Sequence, residues 1–204
     1  MAIMQPHPRR YFQGLVPRRD AVLQSLEEEA RQAQIPIVGP VVGQLLCHLA
    51  AFAGAKQILE LGTASGYSAT YLARGCAPDG RVITLEKDPG MAQRARANLT
   101  LAGVSDRVNV VAGDAVEALA EMRGVFDLIF IDIEKADYVR VLPDCRRLLR
   151  PNGLLVADNT AFADADSFNR AVTADDGLAA VNLLAFFPHH APEEDAVSLV
   201  LRLP

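Results

Sequence analysis

The chain has 204 residues, enough to bury a full hydrophobic core; half are hydrophobic and 22% charged, the balance of a soluble globular protein. A net charge of −5 gives no electrostatic reason to expect nucleic-acid binding. There is no signal-peptide core and no apolar run of membrane length, and the three cysteines, Cys47, Cys76 and Cys145, lack metal-ligand spacing. They read as free thiols of a reducing compartment, so the expected location is cytoplasmic, away from membranes.

Residues 1–19 are rich in Pro and Arg and are expected to be irregular; Arg9, Arg10, Arg18 and Arg19 read as a solvated surface or a subunit contact. Asp20 caps a predicted helix to about Gln34, with Val22, Leu23, Leu26, Ala30 and Ala33 on one stripe. The segment from Ile35 to Pro40 breaks it, and a second helix is predicted from about Val41 to Ala53. An alternating pattern follows. Predicted strands at Gln57–Leu61, Arg81–Glu86, Val108–Ala112, Phe126–Asp132 and Leu154–Asp158 are separated by segments of helical spacing. Asp88 before Pro89 marks one helix start, and Pro151-Asn152-Gly153 marks the turn into the fifth strand. Ser167–Thr173 then reads as a helix. Ala180–Phe187 and Ala196–Leu203 read as two strands whose connection is too short for a helical crossover, so they should pair antiparallel. The expected fold is α/β: a mostly parallel seven-stranded sheet with a C-terminal antiparallel hairpin and N-terminal helices. One domain is expected, with a helical region at 1–55, a core at 56–160 and a closing helix and hairpin at 161–204.

In an open parallel sheet, ligands bind beyond the carboxyl ends of the strands. One rim should therefore gather Glu60, Glu86, Asp114, Asp132 and Asp158. A row of anions suits a cationic ligand with free hydroxyls, or a divalent metal, and suits a phosphate poorly. In the first strand-to-helix turn, Glu60-Leu61-Gly62-Thr63-Ala64-Ser65-Gly66-Tyr67-Ser68, the glycines let a ligand approach the backbone. Their Gly-x-x-x-Gly spacing misses the dinucleotide fingerprint. Glu86 ends the second strand, where a carboxylate can take both hydroxyls of a ribose. Taken singly, these acids could equally be turn and helix caps.

The run Glu-Leu-Gly-Thr-Ala-Ser-Gly-Tyr-Ser, with Thr-Leu-Glu-Lys-Asp and Gly113-Asp114-Ala115 after it, resembles an S-adenosylmethionine-dependent methyltransferase. More narrowly, the chain resembles the metal-dependent O-methyltransferases, which include catechol and caffeoyl-CoA methyltransferases and their small bacterial relatives. The likeness is close over roughly residues 20–160. It implies a Rossmann-like methyltransferase fold in which Glu86 holds the ribose and Asp114 and Ala115 contact the adenine. Gly62, Thr63, Gly66, Ser68, Glu60, Asp132 and the backbone near Val38 would lie along the rest of the cofactor. It further implies that Asp132, Asp158 and Asn159 bind a divalent metal, Mg²⁺ by expectation with Mn²⁺ and Ca²⁺ open, and that Lys135 is the general base. The implied acceptor is a small hydroxylated aromatic or vicinal diol, and the implied assembly a homodimer.

The family pattern is not met throughout. Family members usually carry an aromatic and a glycine soon after the Asp-Asn pair, then a longer loop; here Thr160 to Asp166 leads almost directly into the next helix, with Phe162 where tryptophan is common. Specificity therefore does not transfer from relatives. His189 and His190 read as an exposed loop, Phe186-Phe187 as sheet packing, and Glu193-Glu194-Asp195 as the hairpin turn, where a carboxylate could orient a substrate hydroxyl. Three rival readings stay open at this point: a non-catalytic S-adenosylmethionine-binding protein, a metal-independent methyltransferase and, with less support, a nicotinamide-dependent oxidoreductase.

Overall fold

In the computed structural model, which describes residues 4–204, the apolar runs become strands because their side chains have a core to enter on both faces. Strand β1 (Gln57–Leu61) shows it: Ile58 packs into one apolar cluster, Leu59 and Leu61 into another. Strand β4 (Phe126–Ile131) alternates likewise, Leu128 and Phe130 to one side and Ile129 and Ile131 to the other. Strands buried on both faces need helices on both sides, the rule for parallel sheets.

The helices are α1 (Pro8–Gln13), which buries nothing, α2 (Ala21–Ala33), α3 (Gly39–Phe52), α4 (Tyr67–Gly75), α5 (Pro89–Leu101), α6 (Ala115–Glu121), α7 (Tyr138–Leu148) and α8 (Asp166–Ala174). The remaining strands are β2 (Arg81–Glu86), β3 (Val108–Ala112), β5 (Leu149–Ala157), β6 (Leu178–Phe186) and β7 (Glu194–Arg202). The sheet order is β3-β2-β1-β4-β5-β7-β6. Strands β1 to β5 run parallel, and β7 is antiparallel to both β5 and β6. The seven-stranded α/β sheet with its closing hairpin is as expected. The winding reverses between β1 and β4, and a ligand crevice belongs at such a switch point.

Pairing continues past the strand ends on this side. The Gly62 amide donates to the Leu85 carbonyl at 3.0 Å, that of Asp132 to Leu61 at 2.8 Å, and that of Asp158 to Ile131 at 3.0 Å. The turns after β1, β4 and β5 are thus held side by side. Helix α2 closes over the first of them: the Tyr67 hydroxyl donates to Glu27 at 2.7 Å, and Arg94 holds Glu29 at 2.5 Å.

Four local expectations are corrected. Residues 8–13 form the short helix α1, started by Pro8 at a position where a missing N–H costs nothing, rather than irregular chain; residues 1–3 lie outside the described part. On α2 only Leu23, Leu26 and Ala30 of the predicted stripe are buried. Helix α3 starts at Gly39, two residues before Val41, because Gly39 takes a left-handed φ of 67° that turns the chain into Pro40. Strand β5 begins at Leu149, already paired with Phe126, so the Pro151–Gly153 turn lies inside the strand as an irregularity. Among the described residues no helix is long and apolar enough to cross a membrane.

Candidate active site

A cleft of about 540 Å³ opens at the switch point, with a narrow recess of about 80 Å³ beside it. Both share Pro36, Ile37, Gly62, Ala64, Glu86 and Asp132 as walls. The recess is bounded by the glycine turn, through Thr63, Ser65, Tyr67 and Ser68, and by Val38. The turn can serve this way because Gly62 and Gly66 adopt φ of 94° and 86°. A Cβ on Gly62 would collide with the Asp132 carbonyl, so only glycine lets β1 and β4 approach here. Gly66 itself does not line either space; it gives α4 its start, accepting from Thr70.

Glu86, Asp114 and Ala115 line the cleft beyond β2 and β3. Glu86 accepts from the Ala64 amide at 2.8 Å on one oxygen and from the Asp88 amide at 3.0 Å on the other. Asp114 caps α6, its Oδ1 taking the Val116 amide at 2.8 Å. The bland capping roles are therefore real, yet both carboxylates keep lone pairs toward the cleft.

Glu60 does not join this rim. It lies within β1, its side chain is fully buried, and neither carboxylate oxygen has a hydrogen-bond partner. Burial pushes its carboxyl up to about 8, partly opposed by the nearby hydroxyls of Ser68 and Thr84. Thr84 is engaged with Thr63 at 2.5 Å. The Ser65 hydroxyl, in the recess wall, is also buried and unpaired. Polar atoms orphaned around a glycine cradle fit a polar ligand seated against that turn.

Asp132, Lys135, Asp158 and Asn159 also line the cleft. Lys135 lies in a short 3₁₀ turn, Lys135–Asp137, with Nζ 2.9 Å from Asp132 Oδ1 and 3.1 Å from the Ile133 carbonyl. Asp158 and Asn159 are buried, and Asn159 takes a left-handed φ of 51° that swings its side chain off the end of β5. Beneath them the Tyr138 hydroxyl donates to the Asp158 carbonyl at 3.0 Å. No trio of His, Cys, Asp and Glu that could hold a metal occurs among the described residues; the oxygen set here pairs two aspartates with an asparagine amide. Such hard, neutral-to-anionic oxygens fit Mg²⁺, Mn²⁺ or Ca²⁺. Phe162 projects into the cleft mouth, 47% exposed.

Two residues of this region escaped the sequence reading. Both histidines lie in the β6–β7 loop, but only His189 is exposed. The His190 ring is buried, with Nε2 2.9 and 3.1 Å from the two oxygens of Asp158 and Nδ1 2.6 Å from the Pro192 carbonyl. Burial lowers its pKa, but the hydrogen bond and charge of Asp158 outweigh that and hold the imidazole above its ordinary value. Burial likewise raises the Asp158 carboxyl, with His190 opposing. Asp195, taken for part of the turn, is a fully buried residue of β7 whose Oδ2 accepts from Asn159 Nδ2 at 2.5 Å. Two adjacent histidines cannot both face inward; nothing in their spacing tells which one does.

Comparison with known proteins agrees with this architecture. The model of the O-methyltransferase family matches residues 17–183. A catechol O-methyltransferase of Mycobacterium tuberculosis is 47% identical over 118 residues, 57% of this chain and 54% of that protein, so the match spans about half the relative's length. A catechol O-methyltransferase of Niastella koreensis is 39% identical over 155 residues, covering 73% of this chain and 70% of that protein. The crystal structure of the O-methyltransferase from Bacillus cereus in complex with SAH superposes with a TM-score of 0.86 at 28% identity, over 96% of each chain. On its sequence, its sheet and its cleft alike, the chain belongs to the O-methyltransferase family, in its small bacterial, S-adenosylmethionine-dependent type.

Proposed function

We propose that the chain transfers the methyl group of S-adenosylmethionine to a hydroxyl of a catechol-like or other vicinal-diol small molecule held beside a divalent cation, with Lys135 as general base. The observation that carries this reading is the shared cleft: Asp132, Lys135, Asp158 and Asn159 line it together with Gly62 and Ala64 of the glycine turn and with Glu86. The names of the M. tuberculosis and N. koreensis relatives support the acceptor class.

Each residue then has a task set by its place. Glu86 takes the ribose hydroxyls, Asp114 and Ala115 border the adenine, and Val38, Gly62, Thr63 and Ser68 shape the recess for the methionine end, with Gly66 starting the helix behind them. Glu60, buried near Ser68 of that recess, holds its proton at neutral pH in the cofactor-free protein and ionises when a cationic ligand is seated against it. Asp132, Asp158 and Asn159 would hold the cation. A cation held there would supply Lewis acidity, making the acceptor hydroxyl easier to deprotonate. Lys135, fixed between Asp132 and the Ile133 carbonyl, receives the hydroxyl proton. Phe162 offers a flat apolar wall to an aromatic ring.

A calorimetric titration tests the reading: a simple catechol should bind the purified protein when S-adenosylmethionine and Mg²⁺ are both present, and not when Mg²⁺ is left out. Equal binding without Mg²⁺ would refute the cation-held diol. We extend the reading to a homodimer and a cytoplasmic location. Strand β6 lies at the sheet edge with Val181 and Leu184 exposed, and the three cysteines are free.

A further inference from the structure

His190 and Asp195 do not line the cleft, but the residues they hold do. The Pro192 carbonyl can only accept, so His190 Nδ1, 2.6 Å away, carries a hydrogen. Nε2 faces both oxygens of the Asp158 carboxylate at 3.1 and 2.9 Å, acceptors too, so it carries a hydrogen as well and the ring is held between the two partners. Asp195 is anchored in turn: its Oδ1 takes the Ala196 amide at 2.7 Å and the Ala161 amide at 3.3 Å. Its Oδ2 takes one hydrogen of the Asn159 amide at 2.5 Å, while the Ala191 carbonyl faces the other at 3.4 Å. Both of those partners are acceptors. The Asn159 amide nitrogen is therefore directed into the loop and its carbonyl oxygen is left for the cleft. A flipped amide would set oxygen against oxygen.

We propose that the β6–β7 loop and the first residues of β7 are the positioning element of the cation site: His190 aligns the Asp158 carboxylate, and Asp195 orients the Asn159 amide so that its oxygen faces the ion. The inference rests on the cation reading above and assigns roles to two residues that touch neither cofactor nor acceptor. It also explains why the buried polar side chains of His190 in the hairpin loop and Asp195 in β7 face the end of β5 rather than solvent. Partners of metal ligands fix ligand orientation, and their removal weakens metal binding by about ten- to a hundredfold.

The test is Mn²⁺ binding to the full chain, followed by the electron paramagnetic resonance signal of free Mn²⁺, alongside calorimetric binding of S-adenosylmethionine. His190→Ala and Asp195→Asn should each weaken Mn²⁺ by about tenfold or more, with cofactor affinity held within about twofold. His190→Gln, which keeps an N–H donor near the Nε2 position, should recover part of the lost Mn²⁺ affinity. If His190→Ala fails to fold, Asp195→Asn and His190→Gln carry the test. Unchanged Mn²⁺ affinity in these variants would overturn the proposal, as would parallel loss of Mn²⁺ and cofactor, which marks a merely structural role. Failure of the unsubstituted protein to bind Mn²⁺, matching an Asp158→Asn control, would instead remove the cation reading and this inference with it.

Discussion

Replacing Glu60 by Gln removes an ionisable group that the fold buries without a partner. The unfolded chain gives up this proton near the ordinary value of 4.5, whereas the folded chain keeps it to about pH 8. The stability linked to that proton is therefore fully present below pH 4.5 and is lost as pH rises through 8. At roughly 1.4 kcal/mol per pH unit, the penalty accumulated between 4.5 and neutrality is about 3 kcal/mol. Glu60→Gln keeps the shape and cannot ionise. It should exceed the parent protein in stability by about 3 kcal/mol at pH 7 and by about 1 kcal/mol at pH 5, read from guanidinium unfolding of the cofactor-free protein at each pH. The same change should weaken S-adenosylmethionine by about tenfold or more, the worth of one charged partner, because the penalty is retained for the cationic end of that ligand. A stability difference that stays flat from pH 5 to 8 would refute the burial argument. Unchanged cofactor affinity would refute the reason given for keeping the carboxylate.

Lys135→Ala should lower turnover by at least about a hundredfold, the scale of general-base catalysis, while S-adenosylmethionine binding by calorimetry stays intact; lost cofactor binding would point to a structural role. Gly62→Ala should destabilise the protein by more than about 1 kcal/mol and abolish cofactor binding, since the new Cβ meets the Asp132 carbonyl at a φ of 94°. Light scattering should find a particle of twice the 22.0 kDa chain mass, and Leu184→Asp on the edge strand should split it; a 22.0 kDa species for the unsubstituted protein would contradict the dimer.

The sheet was legible because its strands are buried on both faces and read as continuous apolar runs. Ile58 to Leu61 and Phe126 to Ile131 are examples, each bounded by helical spacing. The acids at the strand ends were legible for the same reason: Glu86, Asp132 and Asp158 sit one place from where pairing stops or at that place. Glu60 shows the limit of that logic. It falls inside β1, where the pleat and not the strand end sets direction, and it is sealed under the turn. The β6–β7 loop shows a different limit. Asp195 and His190 acquire their meaning from Asn159 and Asp158, more than thirty positions away along the chain, and no local spacing encodes those contacts. Helix α1 was missed because it buries nothing, so its sequence shows no apolar stripe.

The central claim is methyl transfer to a cation-held diol, and its most direct measurement is transfer of label from S-adenosylmethionine to a panel of catechols with Mg²⁺ and with EDTA. The account predicts turnover on at least one catechol that EDTA abolishes and added Mg²⁺ restores. Methylation that persists in EDTA, or cofactor binding with no catechol methylated, would contradict it.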